Sequence, residues 1–167
     1  MGGQIVKALL VYYSKFGNTR KVAEAIAEAM KEAGEVRTIN LEQLAAADFE
    51  GGDLVVVGTP THAFSMPQAV RTALAALPPG ILAGKSVAAF DTTVRPWPLR
   101  HLRASPKLLR QLRRLGGRPV VAPQTFFVQT KNPQRSGEID LLLEGELERA
   151  RQWVGDILDK SKALVKA

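Results

Sequence analysis

Hydrophobic positions along the chain fall into two alternating rhythms. Ile5 to Tyr13 (IVKALLVYY) is a nearly continuous apolar, β-branched and aromatic run that stops at Ser14, the pattern of a strand buried on both faces of a parallel sheet. From Thr19 onward Val22, Ile26, Ala29 and Ala33 recur at i, i+4, i+7 and i+11, with Lys21, Glu24, Glu28, Lys31 and Glu32 off that stripe. This predicts an amphipathic helix, with Gly34 as its C-terminal stop. Short strands are expected at Glu35 to Ile39 and, after the Gly51-Gly52 turn, at Leu54 to Gly58 (LVVVG). Pro67 suits the first turn of a second helix, whose buried side is Val70, Ala73, Leu74 and Leu77 and which Pro78-Pro79-Gly80 ends. Ser86 to Phe90 (SVAAF) reads as a fourth strand. Ser105-Pro106 reads as the N-cap and first residue of a helix running to Leu115 and closed by Gly116-Gly117. A fifth strand is expected from Pro119 to Val128, interrupted near Pro123. The last helix is expected from about Glu138 to Lys160, with Leu147, Ala150, Val154, Ile157 and Leu158 as its inner stripe.

Strands alternating with helices in five units call for a parallel sheet covered on both faces, because each right-handed crossover must pack back on the sheet it leaves. Such sheets bind ligands beyond the carboxyl ends of their strands, where the strand order reverses. That singles out three connections: Ser14 to Thr19, Thr59 to Met66 and Asp91 to Trp97.

Length and composition narrow the class further. The 167 residues suit one domain spanning 1–167, and 46% hydrophobic with 23% charged residues is a globular composition. No stretch reaches the roughly 18 apolar residues of a membrane span, and no charged leader precedes an apolar run, so a cytoplasmic protein is expected. The absence of cysteine excludes a disulfide scaffold, a thiolate zinc site, an iron–sulfur cluster and a cysteine nucleophile. His62 and His101 are the only imidazoles, so no metal centre is expected.

The first connection, Ser14-Lys15-Phe16-Gly17-Asn18-Thr19, brings hydroxyls, an amide and a flexible glycine to the start of a helix, a place that suits a phosphate dianion. A hydroxyl-rich helix cap that binds nothing has the same spacing. The loop has one glycine, where a Walker loop or a dinucleotide fingerprint needs more at set intervals. A phospho-receiver domain needs acidic residues where this chain has Tyr12-Tyr13-Ser14 and Thr59-Pro60-Thr61.

On these residues the sequence resembles the flavodoxin-like FMN-binding family. VYYSKFGNTRKVAEAI is similar to the family's Ser/Thr-x-Thr-Gly-x-Thr phosphate signature, GTPTHAFSMP to its first flavin-flanking loop, and AFDTT stands where the second should be. The likeness runs in order along the chain, to the terminal GELERARQW helix. It implies a three-layer α/β sandwich with a five-stranded parallel sheet in the order 2-1-3-4-5. It also implies that Ser14, Lys15, Gly17, Asn18 and Thr19, with Phe16 among them, hold an FMN phosphate. Thr59, Pro60, Thr61, His62, Ala63 and Phe64 would line one side of the isoalloxazine, and Asp91, Thr92, Thr93 and Trp97 the other. Phe16 stands where the signature has a middle Thr, and Lys15 adds a charge beside it. The loop from Thr92 to Pro98 lacks the Gly-rich, acidic, Tyr-bearing pattern of typical flavodoxins. Plainer roles are open for single residues: His62 as a surface loop residue, Trp97 as a packing plug, Tyr12 and Tyr13 as core or rim, and Asp91 as a turn cap.

Charge separates this chain from the family's typical acidic members. The net charge is +7, and eight basic residues with no acid lie between Arg95 and Arg118, leaving 15 basic against 16 acidic residues elsewhere. Arg103, Lys107, Arg110 and Arg114 fall at i, i+4, i+7 and i+11, opposite Leu108, Leu112 and Leu115, with Leu109 on the flank. They form a cationic ridge, either a solvated face or a docking surface for an acidic redox protein or reductase, or for an anionic membrane surface. Nucleic acid is the weakest partner, since no aromatic residues interleave the charges. Two functions are expected to compete. One is an FMN-binding electron-transfer protein or small flavin reductase; the other is a flavodoxin-fold interaction module without flavin that docks an acidic partner through this helix. No nicotinamide fingerprint or acid–base pair assigns a substrate reaction, so no catalytic residue is expected.

Overall fold

In a computed structural model the described residues are 6–63, 65–94, 103–129 and 141–165. Strands β1 (Val6–Tyr12), β2 (Gly34–Asn40), β3 (Leu54–Pro60) and β4 (Ser86–Val94) pair in parallel in the order β2-β1-β3-β4. The expected fifth strand is two pieces, β5 (Arg118–Pro119) at the start of β4 and β6 (Gln124–Val128) at its end, both parallel to it. The break falls at 120–123, where Pro123 cannot donate to a ladder. The five-position order 2-1-3-4-5 therefore stands, with its last position shared by two segments.

The continuous apolar runs are explained by burial on both faces. On one face Leu10, Val56, Ala88 and Phe90 meet Val22, Ile26 and Met30 of α1 (Asn18–Lys31) and Ala150, Val154 and Ile157 of α4 (Glu146–Val165). On the other, Leu9, Val11, Val55, Val57, Val87 and Ala89 meet Val70 and Leu74 of α2 (Gln68–Ala75) and Leu108 and Leu112 of α3 (Ala104–Arg114). Phe90, Phe126 and Trp153 pack edge to face, with centroids 5.9 to 6.1 Å apart. This geometry favours the positive ring edge against a neighbouring π face.

Four expectations about element ends need correction. Gly34 does not stop the first helix, which ends at Lys31. It opens β2, where a Cβ would lie 2.1 Å from the Val6 carbonyl oxygen, so close backbone approach requires glycine. Ser105 does not cap α3: Arg103 holds the cap position, and Ser105 and Pro106 lie within the first turn. The fourth strand does not end at Phe90 but runs to Val94, so Asp91 to Val94 are sheet residues rather than loop. The last helix starts at Glu146, after Gly145 at φ +83°. Residues 141–143, inside the span expected to be helix, run antiparallel to β6 instead: Gln129 N donates to Leu141 O at 2.7 Å and Leu143 N to Phe127 O at 3.0 Å. Ile5 and Glu138, expected to open the first strand and the last helix, lie outside the described residues.

The outer edge of β6 is completed by two side chains from the first turn of α4. Phe127 N donates to Glu146 Oε2 at 2.6 Å, and Arg149 Nη2 donates to Thr125 O at 2.5 Å, while the two side chains pair with each other. An ion pair thus stands in for a neighbouring strand and closes an edge that would otherwise offer free backbone groups.

Candidate functional site

At the carboxyl ends of β1, β3 and β4 the three connections meet around a cavity of about 460 Å³, within the range of small-molecule sites. Each is built differently. In the first, Ser14 Oγ accepts from Gly17 N at 3.1 Å, which curls the loop, and Gly17 takes φ +89° to turn the chain into α1. Gly17 at the cap position has no side chain to cap α1, and the first turn carries no acid, so the positive end of the helix dipole points at the cavity. Lys15 is exposed, its Nζ 5.5 Å from the centre of the Phe16 ring. Asn18 and Thr19 are buried: Asn18 Oδ1 accepts from Leu141 N at 3.2 Å, and Thr19 Oγ1 lies 2.8 Å from Thr92 Oγ1.

In the second connection Thr61 N donates to Thr92 O at 2.9 Å. His62 and Ser65 exchange two backbone hydrogen bonds of 2.9 Å across a tight turn that holds Ala63 at φ +44°, a strained value for a residue with a Cβ. In the third, β4 itself forms the wall through Thr92, Thr93 and Val94.

Asp91, one residue before that wall, is fully buried. Its Oδ2 accepts from the Thr61 hydroxyl and from Ser105 N, both at 2.9 Å, and the Thr61 hydroxyl accepts from Ala104 N at 2.9 Å. Burial pushes its carboxyl above the ordinary value, against the opposing pull of the Thr125 hydroxyl, the Ser105 N–H, the Thr61 hydroxyl and the Arg103 charge.

Of the residues expected at a flavin, Ser14, Lys15, Phe16, Asn18, Thr19, Pro60, Thr61, His62, Ala63, Thr92 and Thr93 line the cavity. Gly17, Thr59 and Asp91 stand behind its walls: Gly17 shapes the loop, Thr59 is buried in β3, and Asp91 braces the neighbouring connection. Phe64 and Trp97 lie outside the described residues. Val94, Val128 and Leu141 also line the cavity and were not among the sequence candidates. Val128 ends the last strand at the same carboxyl edge and could have been found on that ground. Leu141 carried no such signal.

The ridge on α3 also differs from expectation. Arg103 and Lys107 do not project freely. Arg103 lies 5.3 Å over the Phe127 ring, and Lys107 Nζ reaches Ser65 Oγ at 3.4 Å, beside the cavity loop. The cations of the described part of this segment that are exposed are Arg110, Arg113 and Arg114 on α3 and Arg118 in β5. The helix thus carries positive charge from the cavity rim towards the opposite end of the sheet, where Arg118 faces Ser86.

The fold is a doubly wound parallel α/β domain with a cavity at its switch point, the edge at which such sheets bind ligands. Residues 10–153 match the family described as Flavodoxin, and the chain belongs to that family, whose members bind FMN. It is 32% identical over 89 residues to a flavodoxin of Clostridium saccharobutylicum, covering 52% of this chain and 56% of that one. It is also 37% identical over 76 residues to a Thermosynechococcus vestitus protein named as a diflavin flavoprotein, covering 42% of this chain and 13% of that one. The match therefore spans less than two thirds of either relative. In fold it is similar to oxidised flavodoxin 2 of Bacillus cereus (TM-score 0.74, 21% identity, 93% of this chain and 99% of that chain). It is similar as well to rubredoxin oxygen:oxidoreductase of Desulfovibrio gigas (TM-score 0.73, 20% identity, 98% of this chain and 38% of that chain).

Proposed function

We propose that this chain binds FMN in the cavity and acts as an electron carrier. One observation carries the reading: a single slot has the uncapped start of α1 at one end and the walls Pro60–Ala63 and Thr92–Val94 at the other. A dianionic phosphate suits the first part, where Ser14, Lys15, Asn18 and Thr19 would surround it with hydroxyl, ammonium and amide donors. An isoalloxazine suits the second, where Phe16, Pro60, Val94 and Val128 offer apolar contact. FMN, when bound, supplies the redox chemistry; the protein positions it and sets its surroundings.

Among the described residues that line the cavity, Lys15 and His62 are the titratable ones. The basic helix suits an acidic redox protein or reductase, drawn in by the exposed cations Arg110, Arg113 and Arg114 with Arg118 beyond its end, rather than by Arg103 and Lys107, which pack against Phe127 and Ser65. No described helix is long and apolar enough to cross a membrane, and the cytoplasm is the proposed compartment.

The direct test is the colour of the purified protein, with the chromophore released by denaturation and identified. Yellow protein carrying FMN, or colourless protein that takes up one added FMN per chain, is expected. Colourless protein that takes up no FMN would refute the reading.

A further inference from the structure

We infer that Asp91 is the positioning residue of the cavity: its buried carboxylate locks Thr61, and with it the connection after β3, to the first turn of α3. The inference takes its ligand from the flavin reading above, while the network stands on geometry alone.

Every polar group of Thr61 except its carbonyl is committed. Its N–H goes to Thr92 O, and its hydroxyl gives to Asp91 Oδ2 while taking from Ala104 N. Asp91 Oδ2 in turn takes the Ser105 N–H, so one oxygen fixes a cavity wall and a helix start together. Thr92, the other wall, reaches Thr19 at the start of α1. A continuous chain of bonds thus runs beneath the cavity from α3 to α1, and Asp91 is its acceptor at the α3 end.

A neutral Ser, Thr or Asn could cap α3 without the cost of burying a charge. Here a fully buried carboxyl takes that place, and its Oδ2 carries the bonds that fix Thr61 and Ser105 while the Thr125 hydroxyl stands beside the group. The helix start and Arg103 offset part of that cost. Freed from Asp91, the Thr61 hydroxyl could turn into the cavity, and the wall would lose its register against β4.

Two substitutions separate positioning from charge. Asp91→Asn keeps an oxygen for Thr61 and Ser105 and removes the charge; Asp91→Ala removes both. Binding of FMN and of riboflavin should weaken together in Asp91→Ala, by roughly tenfold or more, the scale of losing an outer support. In Asp91→Asn both should stay within about threefold, since the geometry is kept. The two flavins move together because Thr61 walls the ring end of the cavity, away from the phosphate. In the flavin-free chains, amide hydrogen exchange at Thr61, Ala104 and Ser105 should quicken in Asp91→Ala and not in Asp91→Asn. Thr61→Val offers a second route if Asp91→Ala does not fold: both flavins should again weaken equally, with faster exchange at Ala104. A folded Asp91→Ala chain with unchanged binding and exchange would overturn the inference, as would Asp91→Asn damaged as much as Asp91→Ala. If the unaltered chain binds no flavin, the flavin reading fails and exchange alone decides the positioning role.

Discussion

Ser14 and Thr19 separate recognition of the phosphate from recognition of the ring. In the chain with Ser14→Ala and Thr19→Val, two hydroxyl donors are removed from the start of α1 while the ring walls at Pro60–Ala63 and Thr92–Val94 are left in place. Hydrogen bonds to a charged group contribute about 1.5 to 3 kcal/mol each. Losing two should therefore raise the Kd for FMN by roughly a hundredfold or more, even with incomplete additivity. Riboflavin has no phosphate to lose, and its Kd should change by no more than about threefold. The pair of ligands also removes a confounding effect. Ser14→Ala breaks the bond from Gly17 N, at about 1 kcal/mol, and Thr19→Val leaves the Thr92 hydroxyl buried without its partner, at about 1 to 3 kcal/mol. Both losses act on the protein whichever flavin is added. The assay is quenching of flavin fluorescence on titration with each protein, under conditions where urea melts show the double variant to be folded. Equal weakening of FMN and riboflavin would refute the assignment of this loop to the phosphate.

Other predictions rest on separate parts of the molecule. Changing Arg110, Arg113, Arg114 and Arg118 to Gln should alter stability by less than about 0.5 kcal/mol each and leave flavin content unchanged. The same change should slow reduction by an acidic partner about 10-fold or more and flatten its salt dependence; an unchanged rate and slope would make the ridge a solubility feature. The Asp91 carboxyl is raised by burial, so its contribution to stability is fully present below its unfolded value and is lost as pH rises through the folded value. The stability of Asp91→Asn relative to the unaltered chain should accordingly be most favourable at neutral pH and decline towards pH 4, which melts across that range would show; a constant difference would contradict the raised value. At Gly155 of α4 an added Cβ meets nothing within 4 Å, so Gly155→Ala should raise stability by about 0.5 to 1 kcal/mol in urea melts.

The parts legible in the sequence were those whose burial repeats along the chain. Ala8 to Val11 and Leu54 to Val57 are buried on both faces, and such continuous apolar runs announce parallel strands without reference to their neighbours. The end of β4 was hidden because Asp91 and Thr92 are polar, and a buried polar strand end looks like a loop until its partners Thr61, Ser105 and Thr19 are known. Leu141, Leu142 and Leu143 fall inside the span expected to be helix, yet they pair with β6, a long-range contact that no local pattern encodes. The roles of Glu146 and Arg149 at the sheet edge were hidden for the same reason, since an i, i+3 ion pair ordinarily marks an exposed helix face. Most of the cavity was legible because it lies at the carboxyl ends of the strands, between the connections after β1 and β3 and the end of β4, and that place follows from the order of the strands. Arg103 and Lys107 were misplaced because periodicity assigns a side of the helix but not what a long side chain reaches across to touch.

Flavin binding at the meeting point of the three connections is tested most directly by following backbone amide resonances of the isotope-labelled chain as FMN is added. Saturation at one FMN per chain is expected. The largest shifts should fall at Gly17 to Thr19, Thr61 to Ala63 and Thr92 to Val94, with little change at Arg113 to Arg118. Absence of saturable binding, or shifts centred away from these three connections, would contradict it.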